Sequence, residues 1–422
     1  MARYPKPAEG SWTQHYPQLG TEPVSYEDSI SPDFYELERE AIFRQAWLNV
    51  GRVEQIPRSG SYFTKEIAVA STSIVVVRGA DGEVRAFHNV CRHRGNKLVW
   101  NDFPREETSG TARQFTCKYH GWRYGLDGAC TFVQQEGEFF DLAKADYGLV
   151  PVHCDVFAGF IFVNLADVPR QSLREYLGPL LLGVEDYPFQ EMTDRYAFRV
   201  EVGANWKVFS DAFMEFYHAP VVHVGQHPRV LRAQINEAGY EAPHYQIDGA
   251  HGLVTTAGSL HRVWDMPPEN VKPADIVTRS GLFGPWEMTD LGALPAGINP
   301  GGVDPWGLSS FQLFPNFAIL IWQAGWYNTH HFWPTSYNTV VFEGNVYSVP
   351  AKTAGERVGR EMAAVAFKEY SLQDANMLEA TQMGLEARVI DRWPLGDQEV
   401  LVRNFHQVVG EWVDEYQREM KG

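Results

Sequence analysis

The chain has 422 residues, enough for two domains with separate cores. With 36 basic against 53 acidic residues its formal charge is −17, which argues against a nucleic-acid clamp or a binder of anionic membranes, since both need basic stripes. The N-terminus MARYPKPAEGSW lacks the apolar stretch of a signal peptide, and no apolar run approaches a bilayer span, so a cytoplasmic location is expected. Four cysteines in such a chain make no disulfide framework; metal binding or burial is the expectation.

In chain order, residues 32–43 read as an amphipathic helix with Ser31 as its N-cap. Residues 74–78 and 84–88 flank the turn Ala80-Asp81-Gly82 and read as a hairpin. Short strands and Gly-rich turns continue to about Asn164. Residues 206–218 read as a helix, 311–322 and 337–349 as long antiparallel strands punctuated by Pro315 and Pro334, and 354–389 and 399–418 as helices. Strands followed by helices make an α+β fold rather than a doubly wound one, and the missing G-x-G-x-x-G argues against a Rossmann nucleotide site. The expected division is an N-terminal arm and helix at 1–47 packing on the last domain, an all-β domain at 48–165 and a mixed domain at 166–422.

Cys91-Arg92-His93 and Cys117-Lys118-Tyr119-His120 form C-x-H and C-x-x-H pairs, and Gly95 and Gly121 follow where the backbone must wrap closely. Two thiolates and two imidazoles suit a [2Fe–2S] centre with both histidines on one iron, where neutral imidazole raises the potential above that of an all-thiolate cluster. A Cys2His2 zinc site is the alternative, although C-x-H is tight for a zinc knuckle. C-R-H-R-G and C-x-Y-H-G-W resemble the cluster loops of the Rieske domain in aromatic-ring-hydroxylating (Rieske non-haem iron) oxygenases. Against that family, residues 101–114 read as an inserted polar loop shaping a partner surface. Cys130 and Cys154 have no ligand spacing and read as buried small hydrophobes.

His218 and His223 lie five apart, which on one continuous helix puts them on different faces. Pro220 is expected to end the helix near Ala219, letting His223 fold back beside His218. Two imidazoles with one carboxylate make the facial triad of non-haem Fe(II); by itself the pair also fits satisfied core and surface histidines. N-W-K, then Asp211, then E-x-x-H-x-x-x-x-H resembles the mononuclear-iron motif of the same family, with Asn205, Asp211 and Glu215 as its polar positions. The resemblance implies a third ligand on a late helix, Asp374, with Glu369 and Glu379 as rivals. Two departures stand out: Ala212 where the family commonly has Asn, and Glu215 where its bridging acid is often Asp. A helix would set Glu215 beside His218, three residues on, to accept its second imidazole N–H. Its other oxygen would then be free for His120 of a neighbouring subunit, giving a path for the electron.

The resemblance implies an all-β Rieske domain joined to a helix-grip catalytic domain, hence the alpha subunit of a terminal oxygenase. It implies a [2Fe–2S] cluster and mononuclear Fe(II), O2 as co-substrate, a separate ferredoxin or flavin reductase, and a head-to-tail homotrimer, or an α3β3 assembly with a small subunit. The reaction would be cis-dihydroxylation or monooxygenation, with dioxygenation favoured. Residues 280–351 hold no Lys or Arg but many aromatics, Phe283, Trp286, Trp322 and Trp326 among them, so a bulky apolar ring substrate is the first expectation. A quaternary ammonium substrate held against aromatic faces is the second. A Rieske electron carrier whose other domain binds a lipid-like ligand is the third.

Overall fold

The computed structural model describes residues 11–101, 107–223, 242–257, 293–304, 306–322 and 325–421. The chain forms two compact units, Phe43–Tyr176 and a second made of Met1–Ile42 with Leu177–Gly422.

The first unit is all-β. Its strands are β1 (Leu48–Arg52), β2 (Ser61–Ile67), β3 (Thr72–Arg78), β4 (Val84–His88), β5 (Ser109–Thr111), β6 (Phe115–Thr116), β7 (Arg123–Tyr124), β8 (Cys130–Phe132), β9 (Pro151–Phe157) and β10 (Phe160–Asn164). Seven strands pair in the order β1-β10-β9-β4-β3-β2-β5, and β6-β7-β8 form a small separate sheet. The β-branched run Ile74–Val77 is wholly buried in β3, and the β3–β4 hairpin pairs Ile74 with His88 and Arg78 with Val84. Gly82 closes its turn at φ +90°, a conformation in which a Cβ would be strained. The segment expected to be a loose insertion is partly a strand: β5 pairs Thr111 with Ser61 and Ser109 with Phe63 along the sheet edge. Residues 102–106 of that segment lie outside the described residues.

The second unit begins with α1 (Pro32–Glu38), capped by Ser31 Oγ accepting from Phe34 N at 3.2 Å and extended by a wider turn over Arg39–Phe43. Its seven-stranded antiparallel sheet consists of β11 (Asp194–Val202), β12 (His244–Asp248), β13 (His251–Ala257), β14 (Trp306–Leu313), β15 (Phe317–Trp322), β16 (Trp326–Ser336) and β17 (Thr339–Ser348), in the order β11-β17-β16-β15-β14-β13-β12. The expected strand 311–322 is two strands, because Phe314-Pro315-Asn316 turns the chain between β14 and β15. Edge strand β11 alternates buried and open positions, whereas central β14 is buried on both faces.

The helices that position the site are α2 (Trp206–Asp211), α3 (Ala219–Val222), α4 (Ala354–Glu386) and α5 (Val400–Glu419). The expected helix 206–218 stops at Asp211, and Pro220 does not end a helix but starts one, in the first turn of α3, where its missing N–H costs nothing. On α4, Ala363, Phe367, Ser371, Asp374, Leu378, Gln382 and Leu385 are buried, a stripe of threes and fours facing inward. Asp374 is the one carboxylate in that stripe, and a buried acid demands a partner. Among the described residues, no helix is long and apolar enough to cross a membrane.

Candidate metal centres

In the β unit, the loop after β4 carries Cys91 and His93, and the turn between β6 and β7 carries Cys117 and His120. Gly95 (φ +72°) and Gly121 (φ +73°) donate their N–H to the carbonyls of Cys91 and Cys117, at 3.1 and 2.9 Å. Each glycine thus closes a tight loop around its own Cys/His pair. Both thiols are buried in one core cluster with Trp122 and Tyr124. The Nδ1 atoms of His93 and His120 face each other at 3.1 Å, and His93 stacks on the buried Trp122 ring at 5.0 Å. This donor set, two sulfurs and two Nδ1 atoms on two adjoining loops, fits a Rieske cluster.

Tyr124, four residues after His120, was no part of the sequence-derived site. Its hydroxyl accepts from Arg92 N at 3.0 Å and lies 3.2 Å from Cys91 Sγ, so its own proton is available to the sulfur. Tyr119 is half exposed and its ring lies 3.7 Å from that of His120.

In the second unit, His218 caps the start of α3 and His223 follows its end, so one helical turn spans the five-residue gap. His218 Nε2 and His223 Nε2 are 3.3 Å apart, and Asp374 Oδ1 lies 3.5 and 3.3 Å from them. Three donor atoms at this spacing can all bond a single ion at about 2 Å. Glu369 is exposed, and Glu379 is exposed and accepts from Gly203 N at 3.0 Å; neither rival joins the group. Both imidazoles are oriented from behind: His218 Nδ1 donates to Glu215 Oε1 at 2.5 Å and His223 Nδ1 to Gln373 Oε1 at 2.9 Å. Placing the protons on Nδ1 leaves each Nε2 lone pair aimed at the shared point. Gln373 went unnoticed in the sequence, though its place beside Asp374 was the available signal.

Glu215 departs from expectation in two ways. It sits on non-helical chain, and its second oxygen already accepts His218 N at 3.1 Å rather than standing free. A carboxylate oxygen has a further lone pair, so a second donor can still be accepted there. Asn205 also differs. It is fully buried, caps α2 by accepting from Lys207 N at 2.9 Å and donates to Tyr337 O at 2.6 Å, a structural role away from any reacting group. The rest of N-W-K holds Glu38 of α1: Lys207 Nζ pairs with it at 2.5 Å and Trp206 Nε1 donates at 3.1 Å, all within the core.

A cavity of about 340 Å³ opens beside the triad, lined among others by Asp211, Ala212, Glu215, His218, Asp374 and Trp393. The expected aromatic wall is mostly sheet core. Trp306, Phe311, Phe314, Phe317, Trp326, Phe332 and Trp333 are all buried, and Phe283 and Trp286 lie outside the described residues. Trp322 is the exception, half-buried. It stacks on Trp326 at 4.8 Å, donates to Asn328 Oδ1 at 2.7 Å and packs, with Phe216 of the His218 segment, on Leu308, Ala318 and Leu320.

An all-β unit with paired Cys/His loops and an antiparallel sheet gripping a long helix whose Asp374 meets His218 and His223 define the class of two-centre oxygenases. Residues 46–147 match the Rieske [2Fe-2S] domain and residues 189–415 the ring hydroxylating alpha subunit (catalytic domain). The chain belongs to the alpha subunits of the Rieske oxygenases, with a [2Fe–2S] cluster and a mononuclear non-haem iron as its cofactors.

It is 34% identical over 199 residues to the glycine betaine monooxygenase oxygenase subunit of Pseudomonas aeruginosa (47% of this chain, 43% of the relative). It is 32% identical over 199 residues to the carnitine monooxygenase oxygenase subunit of Acinetobacter pittii (46% and 51%). The chain thus spans about half the length of these curated relatives. Its fold resembles the quaternary ammonium Rieske monooxygenase CntA in complex with L-carnitine (TM-score 0.66, 21% identity, 92% of this chain and 95% of that one). It equally resembles naphthalene 1,2-dioxygenase from Rhodococcus sp. bound to indole (0.68, 18%, 96% and 97%). At such identities the likeness shows the fold alone; the curated relatives named here are monooxygenases, where dioxygenation was the first expectation.

Proposed function

We propose that the chain is the oxygenase component of a Rieske monooxygenase acting on a quaternary ammonium compound. The observation that carries this reading is its 32–36% identity to oxygenases named for glycine betaine and carnitine. It replaces the apolar ring substrate first expected from the cationless aromatic stretch. The same stretch suits the new reading as well, because a quaternary ammonium is repelled by Lys and Arg and held by aromatic faces. Among the described residues, the aromatic ring lining the cavity beside the triad is Trp393, which offers such a face.

In this reading Cys91, His93, Cys117 and His120 hold the [2Fe–2S] cluster, and His218, His223 and Asp374 hold the iron. When bound there, the iron would supply O2 activation for hydroxylation of a substrate carbon, with the cluster as the source of electrons. Glu215 and Gln373 hold the ligand imidazoles with Nε2 turned toward the metal site. Tyr370 packs its ring 4.8 Å from that of His223 and helps fix that imidazole. A separate ferredoxin or flavin reductase supplies the electrons, and the working form is a ring of three subunits.

The test is turnover with a surrogate reductase on glycine betaine, carnitine, choline and naphthalene, with products identified by mass. Oxidation of an ammonium substrate supports the reading. Oxidation of naphthalene alone returns it to a ring dioxygenase.

A further inference from the structure

The cavity beside the triad is acidic on one side and aromatic on another. Asp211, Glu215, Asp374 and Glu399 all line it, and among the described residues no Lys or Arg does. The cations close by are committed elsewhere. Lys207 is fully buried against Glu38, and Arg403 donates to the carbonyl oxygens of Glu22 and Leu395 at 2.6 and 3.2 Å. His406 on α5 stands between Asp28 Oδ2 at 2.7 Å and Asp211 Oδ2 at 3.1 Å, so two carboxylates answer its single charge. Iron(II) at the triad would bring two positive charges, which Asp374 and Glu215 offset. Burial and the charges of Glu215 and Asp211 push the Glu399 carboxyl up, a repulsion that a bound cation relieves and a bound anion deepens.

Trp393 supplies the aromatic side. It belongs to the short strand Arg392–Trp393, which pairs antiparallel with Val24–Ser25. Its ring stacks on Tyr26 at 5.8 Å and meets His406 edge-on at 5.3 Å, so its position in the cavity wall is fixed. A fixed indole attracts a quaternary ammonium through its ring face without any hydrogen bond.

We infer that the cavity selects a quaternary ammonium compound whose other end is an uncharged alcohol, seats the ammonium head on Trp393, and turns away compounds that end in a carboxylate. This rests on the quaternary-ammonium reading above and adds to it the charge of the substrate's other end. Size does not separate the two kinds of compound, because choline and glycine betaine fill nearly the same volume. Charge and hydrogen-bonding capacity do. The four acids offer mainly acceptors, which an alcohol O–H satisfies; a carboxylate has no proton to give and repels them. A carboxylate-ended substrate needs a guanidinium or ammonium partner, and the lining described here holds neither.

The test is anaerobic calorimetry on the full chain loaded with iron(II), titrated with choline, with glycine betaine and with the neutral isostere of choline in which carbon replaces nitrogen. Choline should bind about tenfold or more tightly than either, the scale of one unfavourable charge contact. Trp393→Leu should weaken choline by about tenfold and the isostere much less, whereas Trp393→Phe should keep most of the affinity. Glu399→Gln should narrow the preference for choline over glycine betaine. In turnover with a surrogate reductase, kcat/KM should follow the same order. Glycine betaine bound as tightly as choline, or wild-type choline affinity in Trp393→Leu, overturns the inference while leaving a quaternary ammonium monooxygenase in place. If the Trp393 variants do not fold, Glu399→Gln decides: an unchanged preference overturns it equally. Binding of neither ammonium compound, with naphthalene oxidised, overturns the quaternary-ammonium reading and this inference with it.

Discussion

Glu215 holds His218 at two points, accepting from its backbone N at 3.1 Å and from its Nδ1 at 2.5 Å. One carboxylate therefore sets both the backbone and the ring of a proposed iron ligand. Glu215→Gln keeps an acceptor for Nδ1 but removes the charge. It should retain both iron centres and a reducible cluster, yet form product more slowly in a single turnover of pre-reduced protein, because the charged link toward the cluster is gone. Glu215→Ala should also lose about 10–100-fold in iron affinity. A Gln variant with wild-type single-turnover rate removes the electron-bridge role.

Gln373 does for His223 what Glu215 does for His218. Gln373→Leu should lower iron affinity by about 10–100-fold while leaving the cluster untouched. Iron retention during dialysis against a chelator measures this; unchanged retention would mean that packing against Tyr370 suffices to orient the ring.

Tyr124 tests the cluster environment. Its hydroxyl lies 3.2 Å from Cys91 Sγ, and hydrogen bonds to cluster sulfurs stabilise the reduced, more negative state. Tyr124→Phe should therefore shift the reduction potential to more negative values in an EPR-monitored titration. A shift to more positive values, or none, would place the hydroxyl's proton elsewhere.

His406 links stability to pH. Its folded value, about 10, lies above the ordinary histidine value of about 6.5. Its stabilising contribution is complete below the unfolded value and fades as pH rises through the folded one. His406→Gln should thus lower the thermal midpoint most near pH 6 and progressively less toward pH 10. Equal destabilisation at both pH values would deny the charged state.

What the sequence disclosed was local. The Cys/His loops were legible because ligand spacing and the following glycines lie within five residues, and Ser31 was legible because a cap sits beside the helix it starts. The segment between Asp211 and His223 was misread: its aromatic residues carry helical periodicity, but Phe213 and Phe216 pack against the sheet instead of continuing α2. Pro220 reads from sequence as a helix stop, yet it stands in the first turn of α3, because proline suits either end of a helix and only the surrounding fold decides which. His406 could not be found at all. It stands 195 residues from Asp211 and 378 from Asp28, with no motif joining them. The aromatic stretch misled for a different reason: composition does not distinguish a pocket wall from sheet core, and most of these rings proved to be core.

Iron content tests the whole account most directly. A [2Fe–2S] cluster and one mononuclear iron require three irons per chain. Wild-type protein should hold three. Asp374→Ala should hold two with its cluster spectrum intact, and Cys117→Ser should lose that spectrum while the second unit stays folded. Three irons retained in Asp374→Ala, or an unchanged cluster spectrum in Cys117→Ser, would contradict the two-centre assignment.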